Sequence, residues 1–211
     1  MSDPVVVLGA GGHAKVLIAS LRRLGVEVRG CVVAETAASD CPVLGVAVLG
    51  DESVLAGFDS AATKLVNGVG SLEPHSARKR LFERWSARGW RFASVIDPHA
   101  VVGPETILGE GVQVMAGAVV QPGVRLGPNC VLNTRAAVDH DCVIGAHVHL
   151  APGVTLSGGV TVGDNAHLGP GATVVQGVVI GPGATVAAGA TVVADVAAGA
   201  RVFGVPAKSR R

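Results

Sequence analysis

The chain has 211 residues, 30 of them Gly, 49% apolar and only 3% aromatic with no Tyr, so its core must be filled by Val, Ala, Leu and Ile, which favours a narrow, regular coil over an ordinary globule. Lys and Arg (17) nearly balance Asp and Glu (16) for a net charge of +1, and no global field recruits nucleic acid or an anionic membrane. The start lacks a basic, apolar leader pattern, and no uncharged apolar stretch reaches about 18 residues without Gly or Pro, so a cytoplasmic protein is expected.

In chain order, Pro4 to Leu8 predicts a buried strand, Gly9, Ala10, Gly11 and Gly12 a turn, and His13 to Leu24 a helix with Leu17, Ile18, Leu21 and Leu24 on one face. Val26 to Val33 predicts a second strand and Lys64 to Asn67 a third, followed by Gly68, Val69 and Gly70. A helix from Pro74 to Arg88 and a last strand from Phe92 to Val95 complete the segment. Strand alternating with helix implies a small parallel α/β domain, Rossmann-like, over residues 1–95.

The glycine turn follows a strand and opens a helix, so its amides and the helix N-terminus can hold phosphate. Its spacing also fits the G-x-G-x-x-A fingerprint. Three readings stand: a nucleotide or nucleotide-sugar diphosphate, a dinucleotide, or a purely structural turn. Against the dinucleotide, Glu35 comes late for a ribose-binding acid, and 95 residues leave no second mononucleotide half. Arg78, Lys79, Arg80, Arg84 and Arg88 on the second helix read as a solvated face, or as a rim that attracts a charged nucleotide.

From Ile96 the period changes. Every sixth residue through Val192 is aliphatic, seventeen in succession, often followed by Gly (Gly103, Gly109, Gly127, Gly145, Gly163). A hexad supplies one short strand and a turn, and three hexads close a triangular parallel β-helix with eighteen residues per coil. Residues 96–211 therefore form a second domain, joined to the first almost without linker.

Within residues 102 to 200 only eight positions are charged, and Asp139 and Asp141 flank His140. A histidine with a carboxylate on one ring nitrogen can take a proton through the other, so His140 reads as a general base; a plain surface corner is the alternative. Gly158 lies eighteen residues later, in the same column one coil on, and its bare amide is suited to polarising an acyl carbonyl. His149 and His167 are likewise one coil apart. Zinc is not expected, because His140, His147, His149 and His167 have H-x6-H and H-x-H spacings rather than the H-x4-H of β-helix carbonic anhydrases. The thiols of Cys31, Cys41, Cys130 and Cys142 include no CxxC pair and are expected to be idle.

The hexads resemble those of the hexapeptide-repeat acyltransferases, which implies a left-handed β-helix and a homotrimer. With the glycine turn, His13 and the run Val138, Asp139, His140, Asp141, Cys142, Val143, Ile144, Gly145, the whole chain is similar to the sialic-acid O-acetyltransferase type, and within it to the nucleotide-aminosugar N-acetyltransferases of bacillosamine or perosamine synthesis. That resemblance implies His140 as base, Asp141 as its orienting acid, Asn133, His149 and His167 as cleft groups, and Gly158 as an amide near the acetyl carbonyl. Gly9, Gly11, Gly12, His13, Asn67 and Gly68 would hold the nucleotide. The implied reaction moves an acetyl group from acetyl-CoA to the amine of a nucleotide-linked 4-amino-4,6-dideoxy sugar. Acetylation of a sugar hydroxyl, or a non-catalytic assembly module, are the alternatives.

Overall fold

A computed structural model describes residues 3–33, 42–70 and 77–209; Glu35, Cys41 and the predicted helix start at Pro74 lie outside the described residues. The first domain is a four-stranded parallel sheet in the order β3-β2-β1-β4, with β1 at Val5–Leu8, β2 at Val28–Val33, β3 at Val48–Asp51 and β4 at Lys64–Asn67. Helix α1 (Gly12–Arg23) covers one sheet face through Ala14, Leu17, Ile18 and Leu21 against Val5, Val7 and Val66. Helix α2 (Ala77–Ser86) covers the other through Leu81, Phe82 and Trp85 against Val6, Leu8 and Leu65.

Three sequence expectations change here. Strand β3 and the 3-10 turn Glu52–Gly57 had no clear periodic signal, because β3 is short and interrupted by Gly50. Phe92 to Val95 is not a strand of this sheet: Phe92 makes one isolated bridge to Leu65, and Val95 already pairs with Gln113 in the coil. Arg78 is not on a solvated face; it is 3% exposed.

The second domain stacks seventeen two-residue strands from Val95–Ile96 to Thr191–Val192 into three parallel sheets. Every ladder keeps the eighteen-residue offset, as in Val131 to His149 to His167, and it shortens only past Val192, where Thr185 pairs with Arg201. We call the faces after their outward residues: the first carries Gln113, His149 and His167, the second Val119, Ala137 and Thr155, the third Arg125, Val143 and Thr161. The repeated aliphatics stack inward as one core, and each buried Leu or Val contributes about 1.5–3 kcal/mol. The first coil is the exception, since no strand among the described residues pairs below Val101–Val102 and Val102 stays 37% exposed.

The Gly that follows so many hexad aliphatics has a steric cause. A Cβ on Gly109 or Gly163 would stand 2.5–2.6 Å from the proline nitrogen of the next coil. The first domain stands on the first face and its two corners. Met115 and Val95 join the α1 cluster, and buried Asp97 accepts hydrogen bonds from Ser20 (2.6 Å), Arg23 and the His99 N–H (2.9 Å).

Candidate active site

His140 occupies the corner between the second and third faces, in the turn joining Ala137–Val138 to Val143–Ile144. In the two preceding coils Pro104 and Pro122 hold this column, so the coil needs no N–H there. The His140 N–H donates to Asp139 Oδ1 at 2.8 Å. One coil on, no hydrogen bond among the described residues uses the Gly158 N–H.

The imidazole is oriented from its other side. His140 Nδ1 lies 2.8 Å from Asp141 Oδ2, so Nδ1–H donates to the carboxylate and Nε2 keeps its lone pair. That hydrogen bond pushes the His140 pKa above its ordinary value, and the charge of Asp139 adds to the effect. Two glycines make room for the pair. A Cβ on Gly158 would lie 2.7 Å from His140 Cε1 and Nε2, and one on Gly123 would lie 2.7 Å from Asp141 Oδ1. The acid leans on the coil before and the imidazole on the coil after. Adding eighteen to His140 found Gly158; subtracting eighteen from Asp141 would have found Gly123, which sequence reasoning missed.

A groove of about 180 Å³ runs along the second face to this corner, bordered by Val119, Gln121, Ala137, Asp139, Thr155 and Ser157. Cys142 lies inside the coil, where burial pushes its thiol pKa up, so it is not a nucleophile.

His147, His149 and His167 do not converge on this corner. His149 and His167 adjoin on the first face with ring centroids 5.1 Å apart, and Asn133 Nδ2 at the neighbouring corner is 3.5 Å from His149 Nε2. One chain thus keeps His140, Asp141 and Gly158 at one corner, and Asn133, His149 and His167 on the first face and the corner beside it. His147 turns to the third corner, against Phe82. Among the described residues no three His, Cys, Asp or Glu side chains gather as a metal set.

A second cavity, of about 230 Å³, lies at the carboxyl edge of the first domain's sheet, between Gly9 and α2, with Val69, Arg80, Leu81, Arg84 and Glu52 on its walls. Gly9 has φ +105 and touches Gly68, where a Cβ would meet Val7 at 2.7 Å, so both strand ends need glycine. Gly11 caps α1 without a side-chain bond, and among the described residues none stands within 4 Å of where a Cβ on Gly11 or Gly12 would lie. Glu52 is an acid that sequence reasoning missed: its carboxylate accepts from Arg84 at 2.6 Å and from Trp85 Nε1 at 2.9 Å. Asn67 and His13 point away from the cavity into the domain junction. His13 Nε2 lies 2.8 Å from Gln113 Oε1, and burial, then the charge of Arg78, lowers its pKa to about 4, so the ring is neutral.

The family model for bacterial transferase hexapeptide (six repeats) matches residues 105–138, 123–158 and 159–194. A solved variant of perosamine N-acetyltransferase from Caulobacter crescentus, in complex with CoA and GDP-perosamine, is 40% identical, covers 100% of this chain and 98% of its own, and has a TM-score of 0.91. The acetyltransferase domain of PglB from Neisseria gonorrhoeae, in complex with acetyl coenzyme A, is 35% identical over 100% of both chains, with a TM-score of 0.91. The chain belongs to the hexapeptide-repeat acetyltransferases. As in that family, the parallel coil of this acetyltransferase is a left-handed β-helix. No helix among its described residues is long and apolar enough to cross a membrane.

Proposed function

We propose that this acetyltransferase moves the acetyl group of acetyl-CoA to the amine of a nucleotide-linked 4-amino-4,6-dideoxy sugar. The observation that carries the reading is His140, held by Asp141 at 2.8 Å and lying against the bare backbone of Gly158, in a chain whose relatives include one solved with CoA and GDP-perosamine. The amine nitrogen attacks the thioester carbonyl carbon, and His140 Nε2 takes the proton the nitrogen sheds. The Gly158 N–H donates to the oxyanion. Collapse breaks the C–S bond, and the departing thiolate takes the proton from His140, leaving free CoA and an amide. Asp141 stabilises the transient imidazolium. No acyl-enzyme forms, because the nucleophile belongs to the substrate.

In the same reading the diphosphate lies on the amides of Gly11 and Gly12, with Arg80 and Arg84 opposite, while the Gly9 N–H is held by the Val32 carbonyl at 2.7 Å and shapes the turn rather than binding. Gly68 admits the close backbone approach of Gly9, while His13 and Asn67 support the turn from within. Asn133, His149 and His167 serve the site from a second copy of the chain, in a homotrimer. Their place away from the His140 corner supports this, as does the small-residue second face of Val119, Ala137, Thr155 and Thr173, suited to burial against a neighbour. Static light scattering is expected to give three chain masses; a monomer at micromolar concentration would refute the shared site. The reaction belongs in the cytoplasm, where thiols such as the free Cys31, Cys130 and Cys142 stay reduced.

The deciding experiment is thiol release from acetyl-CoA against a panel of UDP-, GDP- and dTDP-linked amino sugars. One amino sugar is expected to give stoichiometric thiol and an N-acetyl product. Thiol release only with a hydroxyl acceptor, or with none, overturns the reading.

A further inference from the structure

At the corner between the third and first faces, one turn position in each coil takes the left-handed conformation. Glycine fills it in the outer coils (Gly111, Gly183, Gly199), but the three middle coils carry Asn129 (φ 57°), His147 (φ 59°) and Asn165 (φ 60°). Glycine would satisfy the coil at less backbone cost, since a side chain in this region costs roughly 1–2 kcal/mol per residue, least for Asn. The contacts made by Asn129 and His147 show what the side chains do instead.

Asn129, 1% exposed, accepts from Asn67 Nδ2 at 3.2 Å and lies 3.0 Å from His147 Nδ1. With Asn129 Nδ2 donating, the His147 proton sits on Nε2, which faces the Glu83 carboxylate at 3.9 Å, while the ring stands edge-on to Phe82 at 5.6 Å. Asn67 passes the contact on. Its Nδ2 donates to the Arg78 carbonyl at 2.9 Å, and its own carbonyl accepts from Arg78 Nη1 at 2.8 Å and from Gln113 Nε2 at 2.8 Å. The β-helix corner therefore grips α2 twice, at Arg78 in its first turn and at Phe82 and Glu83 in its middle. Arg80, Leu81 and Arg84 on the same helix form one wall of the cavity opposite Gly9.

We propose that Asn129 and His147 are positioning residues of the nucleotide cleft: they hold α2 so that Arg80 and Arg84 stand across the glycine turn. This rests on the reading of that cleft as the nucleotide-sugar site. His147→Gly suits the left-handed backbone and removes only the grip. It is expected to raise the KM for the nucleotide sugar about 10-fold, roughly what one misplaced charge-assisted hydrogen bond costs, while kcat and the acetyl-CoA KM stay within about twofold. Hydrogen exchange of the Ala77–Ser86 amides should quicken, with the coil amides unchanged. His147→Asn, which tolerates the backbone and keeps an acceptor for Asn129 but loses the ring that meets Phe82 and Glu83, should recover only part of the KM.

Unchanged sugar KM with unchanged α2 exchange overturns the proposal, and so does a parallel loss in kcat and acetyl-CoA KM, which marks general damage. Should His147→Gly fail to fold, Asn129→Gly is read in the same way. If wild-type protein acetylates no nucleotide sugar, the functional reading fails by itself, and α2 exchange in the variants still decides the positioning role.

Discussion

Replacing Gly158 by Ala displaces His140 while leaving its imidazole and the Gly158 N–H chemically intact. The backbone accepts the change, because Gly158 is not in the left-handed region. The added methyl does not fit, since its carbon would lie 2.7 Å from His140 Cε1 and Nε2. Ordinary carbon contacts lie near 3.5–4.0 Å, so the ring must retreat by about 1 Å. A displacement of about 1 Å at a reacting group costs about 10²-fold, and kcat for thiol release is expected to fall by that order. Retreat also strains the 2.8 Å bond to Asp141 that raises the His140 pKa, so the rising limb of the pH–rate profile should move to lower pH. Stability should hardly suffer, because Gly→Ala at a compatible site gains about 0.4–1 kcal/mol through the unfolded chain. A variant within about threefold of wild type in kcat, with its limb unmoved, would refute the packing of His140 on Gly158 as the arrangement that acts.

Asp141→Asn removes the group that raises the His140 pKa. The base acts when neutral, so wild-type kcat/KM should rise through a pKa above the ordinary 6.5 or so, and the Asn variant's limb should shift down toward that value. Its plateau should fall by less than the roughly 10²- to 10⁴-fold expected for His140→Ala; equal losses would mean that Asp141 does more than orient. Gly11→Val meets no described residue within 4 Å of its Cβ and suits φ −85°, so it should fold and raise the sugar-nucleotide KM while acetyl-CoA binding stays put, and equal damage to both ligands would make the turn structural. Leu150→Ala opens a cavity between Leu132 and Leu168 in the coil core and should cost about 2–5 kcal/mol, read as a Tm fall of several degrees with the midpoint kcat unchanged. A Tm within a degree of wild type would refute that stacking.

The coil was legible residue by residue because each of its contacts is a repeat of one local rule. An inward aliphatic meets its own counterpart eighteen residues away, so the period shows both the strand and its partner, and all seventeen predicted aliphatics are strand residues. The same arithmetic placed Gly158 beneath His140. In the first domain, β1, α1, β2 and β4 announced themselves through continuous apolar runs and helical spacing. Strand β3 did not, because it lies at the sheet edge and its half-buried residues include Gly50. Phe92 to Val95 misled for the opposite reason: an apolar run crossed from one domain's core to the other's.

Other features depended on which surfaces meet. Arg78 belongs by spacing to a basic helix face, yet it is buried and donates to the carbonyl of Asn67, whose side chain is held in turn by Asn129 of the coil. Asn67 reads as a loop residue beside a glycine turn, but it ends β4 where the helix, the sheet and the coil join, so its amide is consumed by Arg78 and Asn129. Columns of the coil are visible in sequence, whereas the corner a column occupies, and what packs on it, are set by long-range contact. The hexad register and the adjacency of His140 and Asp141 were readable from the residues alone, because they follow from periods and neighbours along one chain. Long-range packing alone sets His140 on a corner apart from the face of His149, and α2 against the coil, because apolar burial and buried hydrogen bonds between domains join residues that no local spacing relates.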